Sequence, residues 1–100
     1  MVKFHKEVVK AASHFYGQVK YDGTLKTVTE ELQEVLDGIQ NTARFRQLMH
    51  LEQVSVEEKM ALLQGAVSNL SQSTQDYLKS YLHPDKSAYL IEAIEAFLDI

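Results

Sequence analysis

Three short amphipathic units follow one another between Asn41 and Leu82, and each is opened by its own helix-start signal. Asn41 can cap the first, with Phe45, Leu48 and Met49 as its apolar side. Ser55-Val56-Glu57-Glu58 is a capping box: the Ser55 hydroxyl accepts from the backbone N–H of Glu58, whose carboxylate reaches back to Ser55. Val56, Met60, Leu63 and Val67 then face inward, and Gly65 sits near the end of the unit. Ser71 opens the third, with Thr74, Tyr77, Leu78, Tyr81 and Leu82 on one broad face. Pro84 stops it, because its ring restricts the preceding residue and it has no N–H to donate. Short helices in such close succession suit a compact bundle that holds a partner rather than a site that performs chemistry.

Longer helices flank these units. Phe4, Val8, Ala11, Ala12, Phe15 and Val19 recur at the spacing of one helical stripe, with Lys3, Lys6, Lys10 and Ser13 away from it. Asp22-Gly23 punctuates, since Gly can take the positive φ that closes a helix or turn. Leu25, Val28, Leu32, Val35, Leu36 and Ile39 form a second stripe, with Thr24 or Thr27 as its cap and Gly38 at its fraying end. Asp85 or Ser87 restarts the chain after Pro84. Leu90, Ile91, Ile94, Phe97 and Leu98 then repeat at i, i+1, i+4, i+7 and i+8. No segment alternates with period two. The expected fold is all-α, a single bundle of about six short helices forming one domain over residues 1–100.

One hundred residues suffice for one core, which removes roughly two-thirds of the unfolded surface from water. No apolar run approaches the ~20 residues that span a bilayer, and Met1 to Lys6 lack the apolar block of a secretion signal. The absence of Cys removes disulfides, thiol catalysis and Cys-based zinc sites together. A soluble intracellular protein without membrane insertion is the simplest expectation. The net charge of −4 is unevenly spread. Residues 1–26 carry five Lys against Glu7 and Asp22, whereas residues 27–58 carry Arg44 and Arg46 against seven acids. The Lys residues are scattered singly along the first helix, unlike the concentrated basic face of a duplex-binding module. Nucleic acid is not an expected partner.

Little in the chain suggests catalysis. His5, His14, His50 and His83 lie far apart, and none stands in the H-E-x-x-H arrangement that puts two ligands on one helical face. His14 and His83 meet only if the first and fifth helices pack together, and two imidazoles do not complete a metal site. Glu92, Glu95 and Asp99 form one acidic edge and Glu30 and Glu34 another, each opposite an apolar stripe and so expected in water. The glycines match no P-loop, nucleophile elbow or dinucleotide fingerprint. No cofactor, metal or enzymatic activity is expected. Gly17 inside the first helix costs about 0.5–1 kcal/mol relative to Ala. It implies a bend or a close approach of another backbone, with packing inside the bundle favoured over a partner contact. Tyr16, Tyr21, Tyr77 and Tyr81 fall on the first and fifth helices and suit an interface or a core boundary equally.

The order of these elements resembles the N-terminal domain of the ATP synthase delta subunit, the oligomycin-sensitivity-conferring protein of mitochondria. The resemblance rests on Tyr21-Asp22-Gly23-Thr24-Leu25, on Asn41 through Leu48, and on Val54-Ser55-Val56-Glu57-Glu58-Lys59 leading to Leu62-Leu63. It continues through Leu70-Ser71 and Tyr77-Leu78 to Ile91, Ile94 and Phe97. It implies a non-catalytic stator subunit, set on the catalytic head of a rotary proton-translocating ATP synthase at the inner, cytoplasmic face of the cell membrane. In that family the groove between the first and fifth helices grips the N-terminal helix of an alpha subunit. Projected here, one wall is Val8, Ala11, His14, Phe15 and Gln18, and the other is Asp76, Tyr77, Ser80 and Tyr81.

The chain departs from the family's pattern in three places. Ala11-Ala12-Ser13-His14-Phe15 stands where the family usually has Tyr-Ala-x-Ala-Leu. Pro84-Asp85-Lys86 replaces an Asn-Gly-Arg turn. The family's C-terminal domain, which engages the b subunits, does not follow Ile100. The expectation is therefore an excised domain or a shortened relative without a b-subunit contact of its own. An unfilled apolar groove also invites dimerisation. The competing reading is a small helical regulatory or protein-interaction module unrelated to ATP synthase.

Overall fold

The computed structural model describes residues 4–43, 47, 54–66, 70–83 and 86–100. Among them the chain forms five α-helices and no strand: α1 (Lys6–Asp22), α2 (Leu25–Asn41), α3 (Val56–Ala66), α4 (Gln72–Lys79) and α5 (Leu90–Leu98), the last entered through a 3₁₀ turn at Ser87–Tyr89. The short segment expected after Asn41, with Phe45, Leu48 and Met49, lies outside the described residues, as do Val67 and Pro84. The predicted fifth and sixth helices are thus α4 and α5.

α1 buries Val8, Ala12, Phe15 and Val19, the stripe its spacing dictates. It ends in a Schellman motif at Gly23 (φ 76°, ψ 17°). There the N–H of Thr24 reaches back to the Val19 carbonyl at 3.0 Å and that of Gly23 to Lys20 at 3.2 Å. The left-handed backbone at this point is why a glycine is needed. α2 buries Val28, Leu32, Val35, Leu36 and Ile39, with Thr24 at its N-cap. It does not fray at Gly38. Ile39 is fully packed one residue later, and that burial carries the helix on to Asn41, with Thr42 as its C-cap. Asn41 therefore closes α2 and does not cap a third helix.

The capping box holds in its main arm: the Glu58 N–H donates to the Ser55 hydroxyl at 3.2 Å. The Glu58 carboxylate returns to the same hydroxyl at 3.2 Å rather than to the Ser55 backbone. Met60 and Leu63 of α3 point inward and Val56 is half-buried. α4 is shorter than the apolar pattern predicts. From Leu78 onward the bonds are of i+3 type, Tyr81 to Leu78 at 2.9 Å and Leu82 to Lys79 at 3.2 Å, and this tightened turn still buries both side chains.

α5 is the central pillar. Leu90, Ala93, Ile94, Ala96 and Phe97 are buried, so two alanines join the predicted stripe on the inner face while Ile91 and Leu98 of that stripe lie half-buried at its margin. It packs most extensively on α1 and then on α2; α2 also supports α4, which lies on α3.

Two polar groups lock this packing. The Glu31 carboxylate accepts from the Ser71 backbone N–H (2.6 Å), the Ser71 hydroxyl (2.8 Å) and the buried Thr74 hydroxyl (2.7 Å). It thereby seats the start of α4 on α2, where an anion is favoured by the helix dipole. Lys59, 0% exposed, donates from Nζ to the Leu82 carbonyl at 2.9 Å. That bond ties α3 to the turn after α4, and burial pushes the ammonium below its ordinary pKa. Gly17 corrects an expectation. It is exposed, and a Cβ built there meets nothing within 4 Å, so no backbone packs on it inside the bundle.

Candidate partner-binding groove

α1 leans on α5 and α2, α4 leans on α2 and α3, and α4 reaches both α1 and α5 chiefly through side chains. The bridge is an aromatic stack: the Phe15 and Tyr77 rings lie 4.4 Å apart and within 7° of parallel. Phe97 supports Phe15 from below at 5.4 Å, and Tyr81 meets Tyr77 edge-on at 5.8 Å. The Tyr77 hydroxyl donates to the Ala93 carbonyl at 2.8 Å, which pins the ring to the pillar helix. Because large rings span the gap, the helix backbones stay apart and a trough remains above them.

The trough consists of two adjoining hollows that share Ala11 and Tyr77. One, of about 590 Å³, has Val8, Tyr81 and Tyr89 in its lining and Lys6, Ser80 and Lys86 beside them. The other, of about 340 Å³, has Phe15 and Val19 in its lining, with His14, Gln18, Asp22 and Asp76 around it. All nine residues projected for the two walls fall along these hollows, but in two different roles. Val8, Phe15, Tyr77 and Tyr81 are buried by the chain's own packing and make a floor. His14, Gln18, Asp76 and Ser80 are exposed and make a rim, and Ala11 is half-buried between them.

Eight further lining residues escaped the projection, Lys6, Asp22, Lys86 and Tyr89 among them. Asp22 extends the stripe of Ala11, Phe15 and Gln18 by one turn, so helical spacing alone points to it, whereas Lys6, off that stripe, borders the larger hollow from the first residue of α1. Tyr89 and Lys86 come from the connection into α5, whose path no local pattern announces. The large hollow is closed at its end by His5. Its backbone N–H donates to Glu92 at 3.2 Å, its Nδ1 lies 3.0 Å from the same carboxylate, and its ring meets Tyr89 edge-on at 4.9 Å. Glu92 is thus engaged with α1 and is not part of a solvated acidic edge.

Burial, and then the neighbouring Tyr81, raise the pKa of Tyr77; burial, and then the Glu92 carboxylate, raise that of Tyr81. Both phenols remain protonated donors and offer no nucleophile. His14 lines the smaller hollow, while His83 lies with Lys79 and Ser80 in a separate one, so the two imidazoles do not share a hollow. No group of three His, Asp or Glu among the described residues is placed to hold a metal ion. No described helix is long and apolar enough to cross a membrane.

No curated protein and no solved structure matches the chain significantly. The family model for the ATP synthase delta (OSCP) subunit matches residues 12–100, a span that takes in α1 from its second turn through to α5. The all-helical bundle agrees with it, and the chain belongs to the ATP synthase delta (OSCP) family of non-catalytic peripheral-stalk subunits.

Proposed function

We propose that the trough between α1 and α4 holds the N-terminal helix of an ATP synthase alpha subunit, and that residues 1–100 act as one domain in doing so. The observation that carries this reading is the aromatic-floored groove with a polar rim, left open because Phe15 and Tyr77 hold α1 and α4 apart. An amphipathic helix laid there removes the exposed edges of that floor, and its own apolar stripe, from water. The rim groups His14, Gln18, Asp76 and Ser80 then face its polar flanks. The floor rings are already fixed by packing and by the Tyr77 hydrogen bond, so docking orders few of them and loses little entropy.

The subunit ties the head of the enzyme to its stalk at the inner face of the membrane. A contact under torque must be slow to part, which favours a floor of desolvated apolar anchors over exposed ion pairs. Without the helix, a second copy of the chain competes for the groove, and the peptide displaces it.

A synthetic alpha-subunit N-terminal peptide titrated into isotope-labelled protein tests the reading. The expected shifts gather at Ala11, His14, Gln18, Asp76 and Ser80 and spare the outer face of α2. An unchanged spectrum at high peptide concentration overturns it.

A further inference from the structure

The rim of the groove is electrically polar along its length. At the end formed by the start of α1, Lys6 and Lys86 stand beside the larger hollow, and Glu7 offsets one of them. Glu92, just behind, has its carboxylate on His5. At the other end, Asp22 and Asp76 flank the smaller hollow, whose lining otherwise holds the His14 imidazole and the Tyr77 phenol as titratable groups and no Lys or Arg. Asp76 has a neutral partner, the Gln72 amide at 2.8 Å, so its charge is not cancelled. All four of Lys6, Lys86, Asp22 and Asp76 are exposed and border the hollows.

Lys6 and Asp22 mark the ends of α1, about 24 Å apart at 1.5 Å per residue. That length matches a partner helix of roughly sixteen residues. It also exceeds the ~8 Å screening length at physiological salt, so each end reads the charge directly above it and not the partner's overall dipole.

We infer that the occupant of the groove is an amphipathic helix with basic residues at one end of its stripe and acidic residues at the other. Its basic end sits over Asp22 and Asp76, its acidic end over Lys6 and Lys86. The inference rests on the docking reading above and adds a direction to it. Like charges at either end are penalised, so the floor supplies affinity while the rim selects one of the two ways a helix can lie.

Double-mutant cycles test this with the alpha-subunit N-terminal peptide and two versions of it, one with its basic residues replaced by Gln and one with its acids so replaced. The protein variants are Asp22→Asn with Asp76→Asn, and Lys6→Gln with Lys86→Gln, all at exposed positions. Removing the peptide's basic residues is expected to weaken binding about three- to tenfold on the parent protein and to change nothing on the Asn variant. Removing its acids follows the same rule with the Lys6 and Lys86 variant. The crossed pairs show no coupling, and the coupled losses shrink with added salt. A peptide that binds equally well in all versions, or that lacks such charges and still binds, overturns the polarity while leaving the docking reading intact. If no version binds, the docking reading falls and this inference falls with it.

Discussion

Glu31 anchors α4 to α2 through a single carboxylate that serves three donors at the start of α4. Thr74 is fully buried, so water cannot replace the lost acceptor. Glu31→Ala is expected to destabilise the bundle by about 2–3 kcal/mol, read as a lower urea midpoint with an unchanged slope. The aromatic pair makes a second prediction, in alkali. Burial raises the folded-state pKa of both Tyr77 and Tyr81 above the ordinary 10.0. A group raised in this way contributes stability in full below its unfolded pKa and loses it as pH climbs beyond that value. Lys59 works in the opposite sense, since its lowered pKa makes stability rise with pH until the ordinary 10.5 is reached. Above pH 10 the two tyrosines outweigh the one lysine, and beyond 10.5 they act unopposed by it. Unfolding free energy is expected to fall from pH 10 upward, and Tyr77→Phe is expected to flatten that fall. Denaturation curves collected on both sides of pH 10 check it. The same variant costs about 1 kcal/mol at neutral pH by removing the bond to Ala93.

Among the elements, α1 has a defect that stability alone does not explain. Gly17 lies in the middle of the helix, exposed, with nothing within 4 Å of an added Cβ. Gly17→Ala is expected to stabilise the free protein by about 0.5–1 kcal/mol through the lower backbone freedom of the unfolded chain. A raised thermal midpoint checks this; a lowered one means that the site is strained in a way the free volume does not reveal. The helices themselves were legible wherever burial follows spacing. Val8, Ala12, Phe15 and Val19 of α1, and Val28, Leu32, Val35 and Leu36 of α2, could be picked out from period alone. The misreadings share one cause: a local signal met a tertiary demand. Asn41 looks like a cap, but packing of Ile39 keeps α2 helical past Gly38. Tyr81 and Leu82 keep their inward direction although the α-helix has already tightened into i+3 bonds. Thr74 falls on the broad face read from spacing, but Glu31 and Lys59 left no trace in the pattern, because a polar residue is buried only where a distant partner meets it. The partners here are 23 to 43 positions away.

At the scale of the whole molecule, the groove was legible in outline because it is made mostly from stripes. Two helices whose apolar faces turn toward a common pillar, but which meet each other only through rings, leave a channel between them. The division of that channel into floor and rim was not legible, since it depends on how deep each ring sinks against α5. Ala11 turns that division into a decisive test. It is half-buried and belongs to both hollows, so a larger side chain there fills the channel at its midpoint. Ala11→Leu adds apolar atoms to existing space, and it should leave the urea midpoint of the free protein unchanged or raise it. The same atoms occupy the path of a docked helix, so affinity for the alpha-subunit peptide is expected to drop by at least about tenfold, or 1.4 kcal/mol. Unfolding and binding thus move in different directions in one variant, which a general loss of structure cannot imitate. A peptide that binds Ala11→Leu as tightly as the parent protein must lie on another face, and the open channel above Phe15 and Tyr77 is then a by-product of packing large rings between two helices.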